Sequence, residues 1–467
     1  MVSGSGSNTS GRKSLHGQWS SRLAFVMAVT GSAVGLGNIW KFPYVAGDNG
    51  GGAFVLVYLL CVVLVGMPIM MSEIIIGRRG RRNPIETMTL LGEEEGSSRR
   101  WGWVGGMGVL AGVLILSYYS VIAGWSLDYV LESLTGAFHK QDADGIGAVF
   151  GGLTGSWQRV MLWHTLFMGL SVFVVARGVE KGLESAVKFM VPGLLTLMLV
   201  LLIYAMTTGY FVEGLKFLFT PDFSKLTLQS VLIALGQAFF SLSIGMGAIM
   251  AYGAYLPQDT SITNASVTVV IADTSIAILS ALVIFPIVFA NGLSPAQGPG
   301  LVFVTLPLAF GGMTGGTLFG TLFFVLLSFA ALTSAIGLME PAVAWIVERF
   351  GLTRRAAAIV IGGFIWTIGV GSALSFNLLA DFQVGRGTIF DNIDYLTSNI
   401  MLPLGGVLIT VFAGWVMCGN STSSELGTTG FTFRAWRFLA RFVAPIGVLT
   451  VLAYGTGLLA WITGSSV

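Results

Sequence analysis

From Gly51 to Ser72 the chain reads GGAFVLVYLLCVVLVGMPIMMS, without one charged side chain. Runs of this kind recur from end to end, and they restrict the fold more than any other feature. In hydrocarbon every backbone N–H and C=O must find a partner within the protein, so only helices and closed barrels cross a membrane. A helical crossing needs roughly 20 mostly apolar residues. Composition agrees: 54% of residues are hydrophobic, 10% are charged, and the mean hydropathy is +0.83. A soluble domain carries about 25% charged residues. The expectation is an all-α polytopic membrane protein.

Predicted spans fall near 22–48, 51–77, 101–132, 160–177, 182–206, 227–256, 264–290, 316–349, 356–375, 392–418 and 437–463, eleven in all. The polar gaps are 78–100, 134–158, 207–226, 292–315, 376–391 and 419–436. Residues 1–21 are polar and Ser/Gly-rich, lack the apolar core of a cleaved signal peptide, and read as a cytoplasmic tail. Basic residues set the orientation. With the N-terminus inside, the cytoplasmic face receives the clusters Arg78–Arg82, Arg99–Arg100, Arg354–Arg355 and Arg434–Arg441, among others. The outer face receives only Lys41, Lys140, Arg159, Lys216, Lys225 and Arg386. These clusters are topology signals for a multi-pass protein of the cell inner membrane, and no nucleic-acid partner is needed to explain them. Glu93–Glu95, followed by Gly-Ser-Ser-Arg-Arg, reads as a solvated loop. Cys61 and Cys418 sit at different depths, which argues against a disulfide, and no Cys/His metal pattern is present.

Two spans are poor helices. Residues 31–43 read GSAVGLGNIWKFP, and residues 236–247 read GQAFFSLSIGMG. With 64 glycines in the chain, close helix packing explains most of them. These two stretches differ, because Asn38 and Lys41 accompany the first and Ser241 and Ser243 the second. Unwound backbone at membrane depth is tolerated where it lines a cavity. The breaks fall in spans 1 and 6, so spans 1–5 (22–206) and 6–10 (227–418) read as two repeats, inverted because each holds an odd number of crossings. The span at 437–463 stands outside both. Interrupted spans at matching places in two halves point to a transport site near the midplane. One half-helix offers N–H groups to an anion, the other offers C=O groups to a cation.

The stretches GSAVGLGNIWKFPYVAGDNGGGAF, GQAFFSLSIGMGAIMAYGAYL, SFAALTSAIGLMEP and GPGLVFVTLP resemble the neurotransmitter:sodium symporter family over roughly residues 16–418. The resemblance implies sodium-coupled uptake by alternating access, with two sodium sites. The first would use Ala33, Asn38, Ser241, residue Asp273 and the substrate carboxylate. The second would use the carbonyls of Gly31, Val34 and Ala330 and the hydroxyls of Thr333 and Ser334. A plainer reading of those two hydroxyls is back-bonding within their own helix. The substrate pocket would be lined by Ser32, Ala33, Gly35, Leu36, Gly37, Ile115, Tyr119, Phe240, Ser241, Ser243, Met246, Ser334 and Leu338. Gly35 stands where monoamine carriers have Asp, which implies a substrate bearing its own carboxylate. The apolar set Ile115, Phe240, Met246 and Leu338 would leave a charged side chain unpaired, so a neutral, hydrophobic amino acid is expected, aliphatic or aromatic.

The resemblance also implies gates. Lys41 and Asp394 would form a water-bridged outer pair, with Lys in place of the usual Arg. Trp19, Tyr255 and Glu348 would close the inner side, where His16 replaces the usual Arg and Arg12 or Lys13 is an alternative partner. Gly182 and Pro192 match a motif that unwinds to open an inward path, and Glu73 would cap N–H groups freed by the second break. Chloride-dependent relatives carry Asn at position 273 and a Ser at 277. Here Tyr58, Gln237 and Ser241 match three chloride ligands, while Asp273 and Ala277 depart from the pattern. A fixed carboxylate implies that chloride is not required, and a proton can neutralise it on the return step. The alternative for Asp273 is a structural carboxylate capped by Thr274 and Ser275. Competing functions are a carrier of another small zwitterion, an ion-conducting or receptor-like relative, and an intramembrane protease. The last is disfavoured because His16, His139 and His164 are read as lying near span ends, away from any serine, and Ser185–Lys188 is an isolated S-x-x-K. No enzymatic activity is expected.

Overall fold

The computed structural model of the chain describes residues 12, 14–295 and 300–458. Its elements are α1 (Arg22–Ala33), α2 (Gly37–Asp48), α3 (Gly52–Gly80), α4 (Pro84–Glu94), α5 (Arg99–Leu134), α6 (Ala143–Gly155), α7 (Trp157–Val175), α8 (Val179–Thr207), α9 (Phe211–Phe219), α10 (Leu228–Ser241), α11 (Ala248–Ala254), α12 (Ile262–Ala290), α13 (Leu301–Gly312), α14 (Gly316–Phe350), α15 (Arg354–Leu374), α16 (Ile389–Val416), α17 (Gly419–Leu426) and α18 (Gly430–Gly455). Among the described residues nine helices are long and apolar enough to cross a membrane, and the bent pair α1–α2 makes ten. Counting α10 and α11 as one interrupted crossing brings the total to the expected eleven.

Two helices, α5 and α14, form the central post, each largely buried. The short half-helices pack around them, and α7, α8 and α18 turn most of their surface outward. This burial order follows from sequence. Small residues along α14 (Gly320, Ala330, Ala331, Ser334, Ala335, Gly337) let neighbours approach closely, as packing without a hydrophobic driving force requires. At Gly337 an added Cβ would lie 2.0 Å from Ser32 Oγ.

Several expectations need correction. The predicted gaps are not plain loops: α4, α6, α9, α13 and α17 occupy them. Glu93–Glu95 is only in part the solvated loop expected: Glu93 and Glu94 are exposed but close α4, and the turn follows them. Glu94 pairs with Arg12, and Glu95 pairs with the buried Arg79 and accepts the Cys418 N–H at 2.9 Å. A buried guanidinium needs a carboxylate, and this acidic run supplies it. The last span begins at Gly430, seven residues before the expected start, because Arg434 and Arg437 lower hydropathy without breaking the helix; residues 459–463 of that expectation lie outside the described residues, as do Lys13 and most of the tail.

One crossing of helices is tight enough to test. An added Cβ at Gly77 on α3 would sit 2.0 Å from the Met250 carbonyl oxygen on α11. Backbone cannot step aside as a side chain can, so Gly77→Ala should destabilise the fold by about 1–3 kcal/mol. Thermal unfolding in detergent reads this as a lowered midpoint.

Candidate functional site

The first break is sharp. Between α1 and α2 the chain extends at Val34, and the two halves meet at 54°. The amides freed there are met by side chains: Gly35 N–H donates to Asn38 Oδ1 at 3.3 Å, and Leu36 N–H donates to the Tyr119 hydroxyl at 3.3 Å. In the second break Gly245 and Gly247 take φ values of +85° and +73°, where a side chain is strained. Ser243 also lies at positive φ, +52°. Its hydroxyl donates to the Ser32 carbonyl at 3.0 Å, so the two breaks are joined directly. Glu73, fully buried on α3, accepts Gly245 N–H at 2.6 Å and Met250 N–H at 3.3 Å.

Between the breaks lies a small cavity lined by Ala33, Gly35, Leu36, Gly37, Ile115, Tyr119, Phe240, Ser243, Met246, Ser334 and Leu338. Two expected pocket residues are absent from its wall. Ser32 is turned toward Gly337 of α14, and the Ser241 hydroxyl is drawn away to Asp273. The cavity measures about 20 Å³, room for about one water. Gly35 is closely surrounded: a Cβ there would meet Ser334 Oγ at 2.4 Å and the Tyr119 hydroxyl at 2.8 Å. Beyond Phe240 opens a vestibule of about 410 Å³, lined by Trp40, Lys41, Tyr118, Trp125, Phe376, Asp394 and others. The Lys41 ammonium lies 4.5 Å above the Phe240 ring and makes no direct ion pair with Asp394 among the described residues. Asp394 instead accepts from Ser398 Oγ at 2.9 Å.

Beside the cavity is a fully buried polar knot. Asn38 Nδ2 donates to Asp273 Oδ1 at 2.8 Å and to Ser241 Oγ at 3.0 Å. Ser241 Oγ donates to Asp273 Oδ2 at 2.6 Å, and Tyr58 bonds Ser241 at 3.2 Å. Gln237 Nε2 donates to the Gly37 carbonyl at 2.7 Å. The partners of Asp273 thus come from other helices, not from Thr274 or Ser275. Ala277 is buried nearby on the same helix. At the end of α1, Thr333 back-bonds to Phe329 and Ala330 carbonyls at 3.1 and 3.0 Å, while Ser334 reaches across to the Val34 carbonyl at 3.3 Å. A hydroxyl that donates back still presents lone pairs to a cation. Gly31 packs against Thr333 here, with an added Cβ 3.4 Å from its Cβ.

On the opposite side the path is shut. Trp19, 2% exposed, donates its N–H to the Tyr255 carbonyl and its Nε1–H to the Tyr252 carbonyl, both at 3.1 Å. His16 Nε2 is 2.8 Å from Glu348 Oε1, and Arg12 is engaged by Glu94 instead. Sequence reasoning missed three partners. Asn83 donates both its backbone and side-chain N–H to Glu348 at 2.8 Å. Ser20 bonds Glu184 through N–H (3.0 Å) and hydroxyl. The Tyr255 hydroxyl donates to Glu340 Oε1 at 2.7 Å, and Glu340 pairs with Arg354. A carboxylate inside a span is functional or paired, and that signal was available for Glu340. Gly182 and Pro192 lie in the unbroken helix α8, which opens with a wide π-helical turn over Val179–Glu184. The histidine reading is corrected too. His164 is buried in the body of α7, 3.1 Å from Ser120 Oγ and 3.2 Å from the Trp366 carbonyl. Its neighbour Gly369 packs so close that an added Cβ would meet the ring at 2.6 Å, which leaves no room for a scissile bond.

Two interrupted helices joined at their breaks, an apolar-walled cavity between them and a path shut on the side of Trp19 define a membrane carrier. The pattern of the sodium:neurotransmitter symporter family matches residues 16–144 and 153–459. The chain is 38% identical to a sodium-dependent transporter, YhdH, of Bacillus subtilis (strain 168), over 95% of this chain and 98% of that one. It is 33% identical to a sodium-dependent transporter of Haemophilus influenzae, over 93% and 96% of the two chains. Its fold superposes on the crystal structure of MhsT in complex with L-phenylalanine with a TM-score of 0.86 and 43% identity, over 95% of this chain and all of that one. The chain belongs to the sodium:neurotransmitter symporter family; it is a sodium-dependent symporter and not an enzyme.

Glu348 makes three contacts in the closure around Trp19. Glu348→Ala removes the acceptor of His16 and of both Asn83 donors. Hydrogen bonds to a charged group are worth about 1.5–3 kcal/mol, so amide exchange across residues 14–20 should quicken by about tenfold or more. Hydrogen-exchange mass spectrometry checks it.

Proposed function

We propose that this symporter carries neutral, hydrophobic α-amino acids inward with sodium, by alternating access, without a need for chloride. The observation that supports this most is the make-up of the cavity wall. It combines the Leu36 amide and the Tyr119 hydroxyl, suited to a carboxylate, with the apolar side chains of Ile115, Met246, Leu338 and Phe240. No Asp, Glu, Lys, Arg or His is among the lining residues, so a charged side chain would go unpaired. Gly35 leaves the carboxylate end clear. The similarity to a transporter crystallised with L-phenylalanine supports the same substrate class. A cavity this small admits such a side chain only when Phe240 and Met246 swing aside.

Asn38, Ser241 and Asp273, with the Ala33 carbonyl, form the first proposed sodium site. Gly31, Val34, Ala330, Thr333 and Ser334 form the second. Lys41 with Asp394 serves as the outer gate, and Trp19, Tyr255 and Glu348 as the inner gate. The N-terminal tail lies in the cytoplasm, 22–206 and 227–418 act as two inverted repeats rocking against each other, and the host membrane is the cell inner membrane.

The test is sodium-dependent uptake in proteoliposomes with unlabelled amino acids as competitors. Leu, Phe and Trp should compete and Lys and Glu should not. Uptake inhibited by amines without a carboxylate, or by charged amino acids, would overturn the reading. Met246→Phe adds a rigid ring at an overpacking cost of about 1–3 kcal/mol, so aromatic competitors should weaken by roughly five- to a hundredfold while alanine is spared.

Asp273 gives a separate test. Its carboxylate supplies the charge that chloride would otherwise bring beside sodium, and protonation can neutralise it once sodium has left. Wild-type uptake should be indifferent to replacing chloride by gluconate. Asp273→Asn combined with Ala277→Ser should be rescued by chloride. Full, equal activity of the variant in both media removes this role from Asp273.

A further inference from the structure

The first turns of α18 carry Arg434, Arg437 and Arg441, spaced to share one helix face. Of the other basic groups on this side, Arg78, Arg79 and Arg354 are each matched to a glutamate, while Arg82, Arg177 and Arg355 have no carboxylate within 4.0 Å among the described residues. Among the described residues Arg434, Arg437 and Arg441 have no carboxylate partner within 4.0 Å. Arg441 donates Nε–H to the Gly414 carbonyl at 2.6 Å and lies 4.8 Å above the Trp415 ring. Arg437 lies 5.7 Å above Phe433, and Arg434 reaches only its own Gly430 carbonyl. Each keeps terminal N–H groups for another partner.

Beside these charges an apolar groove of about 560 Å³ runs between α3, α10 and α18, lined by Leu64, Val65, Leu235, Phe438, Phe442, Ile446 and others. The Phe442 ring packs edge-on against Trp415, centroids 5.4 Å apart, and Trp415 is the ring that carries Arg441. Charge and groove are therefore continuous. From Phe438 to Ile446 the groove follows α18 for roughly 12 Å at the helical rise, running from the charged end toward the hydrocarbon.

We propose that this surface binds one anionic phospholipid, its phosphate on Arg434, Arg437 and Arg441 and one acyl chain in the groove. Charge complementarity selects this occupant. A zwitterionic lipid leaves the cluster uncompensated, whereas basic clusters at the membrane face take anionic headgroups. Guanidinium forks match phosphate oxygens in geometry. A second copy of the chain docking here about a two-fold axis would bring its own three arginines against these.

The experiment is native mass spectrometry of the full chain titrated with phosphatidylglycerol and with phosphatidylcholine of the same acyl chains. One basic residue near a membrane surface contributes about fivefold in affinity, so three favour the anionic lipid by about a hundredfold. Replacing all three by Gln should bring phosphatidylglycerol down to the phosphatidylcholine level. Replacing all three by Lys should keep most of the preference, which separates charge from folding. Ile446→Trp, which fills the groove, should weaken both lipids and leave their ratio unchanged. Equal binding of the two lipids by the wild type overturns the proposal, as does a preference that survives the Gln variant. Glycerol phosphate competing as well as the whole lipid overturns it in favour of a small-anion site. Self-association abolished by the same Gln substitutions overturns it in favour of a contact between copies.

Discussion

Backbone amides with no helical partner, held deep in a low-dielectric medium, are the constraint on which this molecule turns. Each costs several kcal/mol if left bare. The protein meets them one at a time: Asn38 for Gly35, Tyr119 for Leu36, Glu73 for Gly245 and Met250. The site is arranged around these repairs. Tyr119 must stand beside the first break to reach its amide, and so lines the cavity. Glu73 must cross to the second break, and so α3 packs against α11 closely enough to require Gly77. Ser243 closes the circuit by tying one break to the other.

The same economy explains why polar residues gather in so few places. Asn38, Ser241, Asp273 and Tyr58 share one set of hydrogen bonds, each satisfying another, with nothing left over for the surrounding apolar wall. The Asn38 Oδ1, the Ser241 hydroxyl oxygen and the Asp273 carboxylate are oxygen ligands of the kind that suits a hard alkali cation. The closure around Trp19 follows the same logic. Glu348 is held by His16 and Asn83, Glu340 by Tyr255 and Arg354, and Glu184 by Ser20 and Lys188, so breaking that closure requires several polar and charged groups to change partners together.

Much of this was legible in the sequence because hydrocarbon makes exceptions conspicuous. Glycine pairs beside Asn38 and Ser243, and a lone Asp273 in span 7, stand out against leucine and valine. Those residues do come together. What stayed hidden was pairing between elements far apart in the chain. Nothing in the local pattern around Ser20 points to Glu184, and nothing near Asn83 points to Glu348. His164 was misjudged for a related reason: its partners, Ser120 and the Trp366 carbonyl, belong to α5 and α15, and helix adjacency is not encoded in hydropathy. The start of α18 was missed because hydropathy falls at arginines while helix propensity does not.

The position of the Phe240 ring has a kinetic consequence. One aromatic side chain separates the cavity from the 410 Å³ vestibule, held by the Lys41 ammonium above its face and by close packing against Gly37. A ring turns in nanoseconds when little holds it. The side closed by Trp19 has no such single leaf; opening it would need Trp19, His16, Ser20 and Asn83 to let go together, a collective event of microseconds to milliseconds. If the ring and the closure around Trp19 act as the two gates proposed above, the two mouths work on separate clocks, fast sampling on one side and slow commitment on the other. On that proposal, a molecule entering from the vestibule would be tried and released many times for each one carried through, giving the carrier repeated chances to reject a poor fit before the costly step.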